Sequence, residues 1–346
     1  MMVDRRLLRG ICGLAMCLTV VSCSGVDKSL PGPTGPSVNN GVGGGANNDV
    51  TGGVGRIAYM RRSLESGSFH IYLITPDGKT EVNLNDEADL ATYSGPSWSP
   101  DGQQIAFASD RSGNANYNIY VMNLDGSNLR AVVEDTGGDF APSWSPDGQK
   151  ILFQAWRNNT TRWDIYVVNV DGSGEQVLVS TTLDEQLPTW SPDGSKILYQ
   201  AGRDSIGTDI FVANTDGSGV ARLTSGNGRL HSSPAWSPDG SLIAFESNLH
   251  QAVVLGVTPI AEYELYVMNA DGSNIKRMTF DGGANSQVRN PTWSPDGSQM
   301  AFEYVTIFQD AVAPFTTLVV MSVDATNVYA IPNLPNGGIF PRWSPM

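Results

Sequence analysis

Short apolar runs, broken by Gly, Pro, Asn and Asp, fill the chain from about residue 54 to its end. "QIAFAS", "KILFQA", "KILYQA", "LIAFES" and "QMAFEY" form one set. After a variable stretch each is followed by "IYVMN", "IYVVN", "IFVAN", "LYVMN" or "LVVMS". Runs this short, rich in β-branched and aromatic residues and bounded by turn formers, predict strands. No long helical apolar period appears beside them.

The strands recur in a fixed order. "P-x-W-S-P" opens each unit, with Trp at 98, 144, 190, 236, 293 and 343, spaced 46, 46, 46, 57 and 50. A first strand carries the Trp, and three more follow it. We label them A to D, with A innermost. Four short strands per unit and a period of roughly 40–50 residues predict antiparallel blades of a propeller. "SPDG" joins A to B, and "LDGSN" or "VDGSG" joins C to D. Pro presets φ at the first central turn position and Gly accepts φ > 0 at the exit.

The two ends complement each other. "RIAYM", "HIYLITPDG" and "TEVNL" read as strands B, C and D with no "WSP" before them. "FPRWSPM" is a strand A with nothing after it. Together they predict one blade, its C-terminal strand pairing with the N-terminal B strand. The expected fold is all-β: a six-bladed β-propeller over residues 54–346, four antiparallel strands per blade. Ring closure removes the open strand edges of a linear array.

"WSPDG" followed by "IAF" and "IYVMNxDG" resembles the TolB-type propeller repeat, a WD-repeat-like family of bacterial envelopes and some hydrolases. The resemblance spans about 290 residues. It implies a non-catalytic envelope protein, with a peptidoglycan-associated lipoprotein among the partners expected. TolB itself carries an α/β domain ahead of the propeller, where this chain has a different N-terminus.

That N-terminus reads as an export signal. Arginines precede an apolar run, Ile11 to Val21, too short to span a bilayer. "VVSC" resembles the bacterial lipobox, which implies cleavage after residue 22 and lipidation of Cys23. The three cysteines (Cys12, Cys17, Cys23) all lie at or before that cut. The mature chain is therefore expected to hold no disulfide, thiol nucleophile or cysteine metal site. Residues 23–53, rich in Gly, Pro and Asn, predict a flexible tether behind the 1–22 signal. Ser24 after Cys23 favours an outer-membrane destination, on its periplasmic side or surface.

Net charge is −14, and with 18 basic and 34 acidic residues left after cleavage it becomes −16. Nucleic acid is thereby an unsuitable partner. Membrane contact is expected through the lipid alone, and the protein as a monomer.

Topology puts A–B and C–D turns on one face, the bottom, and the variable B–C and D–A loops on the other, the top. Variable loops on a uniform scaffold are where function is usually carried. Ahead of each P-x-W the D–A loops present Tyr93, Asp139 and Phe140, Glu185 and Gln186, His231, Arg289, and Ile339 to the channel mouth. This mixed set suits either a specific partner or a merely polar lining. In blade 3, "WRNNTTRW" adds Trp156, Arg157, Arg162 and Trp163, which could stack sugars or peptide side chains.

The B–C spacing is 12, 12, 12 and 11 residues in blades 1–4, then 20 and 16 in blades 5 and 6. The two insertions carry His250, Val253, Leu255, Phe308 and Phe315. Exposed, they make an apolar partner site; packed on each other, they bury that surface; a lid is a third arrangement.

Catalytic signals are weak. There is no "GxSxG" or "HExxH". Related lyases acting on pectic oligosaccharides use a histidine-rich metal site, and this chain has three histidines in all. Asp139 and Glu185 on adjacent blades are the candidate carboxylate pair for a glycosidase. The Asp ring of the SPDG turns (Asp101, Asp147, Asp193, Asp239, Asp296) offers single carboxylates too far apart to share a cation. The expectation is therefore a non-enzymatic binding module without metal or cofactor. A carbohydrate-binding or carbohydrate-active surface lipoprotein is the alternative.

Overall fold

The computed structural model describes residues 55–345 apart from 87, 114–115, 158–161, 204–206, 226–227, 251–261, 281–285, 307–313, 333 and 335–336. The described strands form six four-stranded antiparallel sheets. The innermost strands are Ile339–Trp343 in blade 1, then Tyr93–Trp98, Asp139–Trp144, Asp184–Trp190, His231–Trp236 and Ser286–Trp293 in blades 2 to 6.

Blade 1 is closed as the sequence predicts. Its inner strand comes from the C-terminus and its other three from residues 57–83. Ile57 pairs with Trp343 and Met60 with Ile339.

The core is not one cluster but six, each lying between two neighbouring blades. The B-strand aromatics Tyr59, Phe107, Phe153, Tyr199, Phe245 and Phe302 are all buried in these layers. A sheet with apolar side chains on both faces is stable here because each face meets another blade.

The repeated signatures hold blades together as well as turning the chain. In each SPDG turn, Ser donates to Asp Oδ1 at 2.5–2.6 Å, and the same oxygen accepts a backbone N–H two residues on at 3.0 Å. Those bonds, led by the serine hydroxyl, hold Asp193 and Asp239 at about 2. A carboxylate this engaged is a turn element.

The turn glycine packs on the preceding blade. Pro100 lies 3.8 Å from where a Gly148 Cβ would sit, and Pro345 lies 3.7 Å from that of Gly102. The truncated "WSPM" thus keeps the proline that seats blade 2. In the C–D turn of blade 4, Gly217 has φ 81°, and an added Cβ would fall 2.2 Å from the Leu178 carbonyl of blade 3.

The tryptophans cross the same boundaries. The indole N–H of Trp98 donates to the Arg342 carbonyl at 2.9 Å, Trp190 to Ser143 at 3.2 Å and Trp293 to Ala235 at 3.1 Å. The indoles of Trp144, Trp236 and Trp343 are buried without a protein acceptor.

Candidate functional site

One irregularity repeats around the channel. The residue before each P-x-W proline has positive φ: Gly95, Ala141, Leu187, Ser233, Asn290 and Phe340, at 50–58°. The strand A–B register shifts at this point in blades 2 to 6. A left-handed residue costs about 1 kcal/mol unless it is glycine, and a side chain from strand B of the preceding blade takes up the N–H it turns inward. The acceptors are Met60 Sδ (3.2 Å), Gln154 (2.8 Å), Gln200 (3.0 Å), Glu246 (2.9 Å) and Glu303 (2.5 Å). Ala108 occupies the equivalent place for Ala141 and offers no acceptor.

This bulge corrects the placement of the expected mouth residues. Residues ahead of it pair with strand B and turn into the blade layers. Tyr93, Asp139, Phe140, Glu185 and His231 are buried, while Gln186, Arg289 and Ile339 stay partly exposed. Tyr93 donates to Asp89 at 2.5 Å. Thr181 donates to Glu185, whose carboxyl burial pushes up to about 7. His231 Nδ1 lies 2.9 Å from the Ser247 hydroxyl, and burial lowers its pKa. Asp139 and Glu185 are fully buried with separate partners, so the structure does not present them as a facing carboxylate pair.

Blade 3 is likewise built inward. Arg157 is buried and meets Asp139 at 2.5 Å, Glu175 at 3.0 Å and Asp135 at 3.2 Å. Burial pushes the Asp139 carboxyl up to about 7 against the pull of Arg157, which it shares with two other acids. Trp156 and Trp163 stand edge to face at 4.2 Å, and Phe140 adds a second edge contact to Trp163 at 5.6 Å. Trp163 is buried, Trp156 is half-buried and Arg162 is exposed. Gly138 admits this cluster, since a Cβ there would fall 2.6 Å from the Trp156 ring. A surface groove of about 440 Å3 beside it is lined by Ser112, Asn118, Glu134, Asp135 and Thr136, none of them on an innermost strand.

Blades 5, 6 and 1, which are neighbours in the ring, are different. In blade 6 the insertion lengthens strands B and C, which pair out to Thr306 and Phe315. Val253, Leu255 and Phe308 lie outside the described residues, as does Cys23. His250 is half-buried, 3.9 Å from Glu262.

Exposed large apolar side chains gather at the top of this sector, on loops at Leu64 (93 %), Leu90 (79 %), Leu249 and Phe280 (71 %) and at the strand end Phe315. The other four exposed ones among the described residues, Val177, Val220, Ile275 and Val328, stand at the start of outermost strands.

Beneath those loops lies a polar network. Asn290 donates its backbone N–H to Glu246 at 2.9 Å and its amide to Glu303 at 2.7 Å. Ser232 donates to Glu246 at 2.8 Å, and Ser233 to Asn290 at 3.1 Å. Burial pushes Glu303 up to about 7. Arg289 stacks over Tyr263 at 5.7 Å. Sequence reading found Arg289 but missed Glu246, Asn290, Glu303 and Arg342. The available signal was disagreement among the copies: Glu in "AFES" and "AFEY" where other B strands have Met, Ala or Gln, and Arg342 where other units have Ser, Thr or Ala.

The family model for the TolB beta propeller domain matches residues 55–207. Over those residues the chain matches this family, and its fold is a six-bladed β-propeller. The chain is similar to TolB from Acinetobacter baumannii, with 22% identity and a TM-score of 0.66, over 86% of this chain and 69% of that one. A protein described as TolB from Agrobacterium tumefaciens gives 20%, 0.62, 83% and 92% in the same order. An oligogalacturonate lyase in complex with manganese gives 16%, 0.51, 76% and 70%. At these identities the likeness to solved structures is one of fold. Among the described residues of this propeller, no group of three or more His, Cys, Asp or Glu is placed to hold a metal ion.

Proposed function

We propose that the protein is a non-catalytic, lipid-anchored propeller of the bacterial envelope. It binds a protein partner through the top face of blades 5, 6 and 1. The observation that carries this reading is the grouping of Leu64, Leu90, Leu249, Phe280 and Phe315 on contiguous blades of one face. Apolar side chains scattered singly need no explanation, but a one-sided group above a polar network suits an interface with an apolar centre. The resemblance to TolB makes another envelope protein, such as a peptidoglycan-associated lipoprotein, the first partner to test. The periplasmic side or surface of the outer membrane is the expected place.

The test is photo-crosslinking in intact envelopes. Crosslinkers at Leu90 and Phe280 should give a discrete adduct that one at Asp171, in a bottom-face turn, does not. Adducts of equal yield from both faces, or from Asp171 alone, would remove the top-face interface.

A further inference from the structure

Arg342 breaks the pattern of the ring at its centre. It stands on the innermost strand of blade 1, between the proline and the tryptophan of P-x-W. The equivalent residues in blades 2 to 6 are Ser97, Ser143, Thr189, Ala235 and Thr292. Five small neutral residues and one arginine therefore share one level of the inner wall.

The guanidinium is poorly compensated. It has five N–H donors, and among the described residues its hydrogen bond runs from Nη1 to the carbonyl of Pro341, its own neighbour, at 2.9 Å. No carboxylate among the described residues lies within ion-pair distance of 4.0 Å. Glu303 is the carboxylate whose charge acts on it, and burial lowers the Arg342 pKa from its ordinary value. Glu303 is itself pushed up to about 7 and already accepts from Phe340 and Asn290. It is a weak counter-ion near neutrality.

The wall at this level is rich in donors. The Ser97 oxygen accepts the backbone N–H of Trp144 at 3.4 Å and the Thr292 oxygen accepts the backbone N–H of Trp343 at 3.2 Å, which leaves each hydroxyl hydrogen to donate elsewhere. Arg342 is partly solvent-accessible, and its strand is the innermost of blade 1, the one that borders the channel.

We propose that Arg342 is the centre of an oxyanion site inside the propeller channel, which takes a carboxylate-bearing ligand through bidentate hydrogen bonds from the guanidinium. Arginine's planar fork matches a carboxylate in geometry and charge. In a chain of net charge −14, Arg342 puts a positive charge on an inner wall that is otherwise neutral at this level. The carboxylate arrives either on a free small acid or on an acidic segment of polypeptide. The site lies in the ring's interior and does not depend on the top-face interface.

Calorimetric titration of the full-length chain tests it, with succinate, with a glutamate-rich tetrapeptide and with the amide counterpart of each. At least one carboxylate should bind saturably, and its amide should not. Binding of the peptide alone would identify a polypeptide source; comparable binding of succinate would identify a free small acid. Arg342→Ser, which installs the residue of blades 2 and 3, should weaken binding at least tenfold with Tm unchanged or raised. Where Arg342→Ser lowers Tm, Arg342→Gln repeats the test at nearly constant side-chain volume. Absence of saturable binding by either carboxylate, or wild-type affinity in the folded neutral variant, would overturn the site.

Discussion

Arg56 and Ser344 hold each other across the ring closure. The Ser344 N–H donates to the Arg56 carbonyl at 2.7 Å, and the Arg56 N–H donates to the Ser344 hydroxyl at 2.9 Å. Separated by 288 positions in sequence, they make the two ends of the domain one sheet. Deleting residues 340–346 removes the inner strand of blade 1, the proline against Gly102 and the acceptor of the Trp98 indole. Thermal unfolding should shift down by roughly 10 °C or more, or lose its single cooperative transition. Deleting residues 24–53 should leave Tm unchanged. Equal Tm values for wild type and the 340–346 deletion would show that the closing strand is dispensable.

The two kinds of tryptophan give a second test. Trp98 has an indole acceptor in the preceding blade, whereas Trp144 has none among the described residues. Replacing each with Phe removes similar apolar area. Trp98→Phe also leaves the Arg342 carbonyl without this donor, so it should cost about 1 kcal/mol more than Trp144→Phe. Denaturant unfolding of the two variants measures the difference; an equal or reversed cost would show that these indole bonds contribute nothing net.

Glu303 ties stability to pH. Burial raises its carboxyl from 4.5 to about 7 in the folded protein. Between those values the folded state binds more protons than the unfolded one, so stability falls as pH rises. Its contribution is full below about 4.5 and lost as pH passes about 7. Asp139 and Glu185, also pushed up to about 7, act with the same sign. Glu303→Gln should match wild type near pH 4 and exceed it by about 3 kcal/mol at pH 8. Parallel Tm profiles of wild type and variant across that range would show that Glu303 ionises without penalty.

Much of the fold was legible in the sequence because a repeat states its constraints several times. Trp98 to Trp343 fixed the number of blades, and the fragments at residues 56–84 and 340–346 predicted their own pairing. The candidate site was legible in part. Arg289 and Phe315 keep some exposure, whereas Tyr93, Asp139 and His231, expected at an open mouth, are buried. Glu303 and Arg342, which the loop-based reading passes over, differ from the residues at the same place in the other copies.

By itself the sequence determined what short-range chemistry determines: strand lengths, the Ser–Asp turns, and a closure forced by two complementary fragments. Only the tertiary structure decided which side chains face the channel. A positive-φ residue before each proline shifts the strand A register, and whether its N–H is captured depends on a residue 33 to 44 positions away, as Leu187 depends on Gln154 and Asn290 on Glu246. The same holds for the grouping of Leu64, Leu90 and Phe280. Exposure on one sector of one face follows from how six sheets close into a ring, and no local pattern in the chain encodes it.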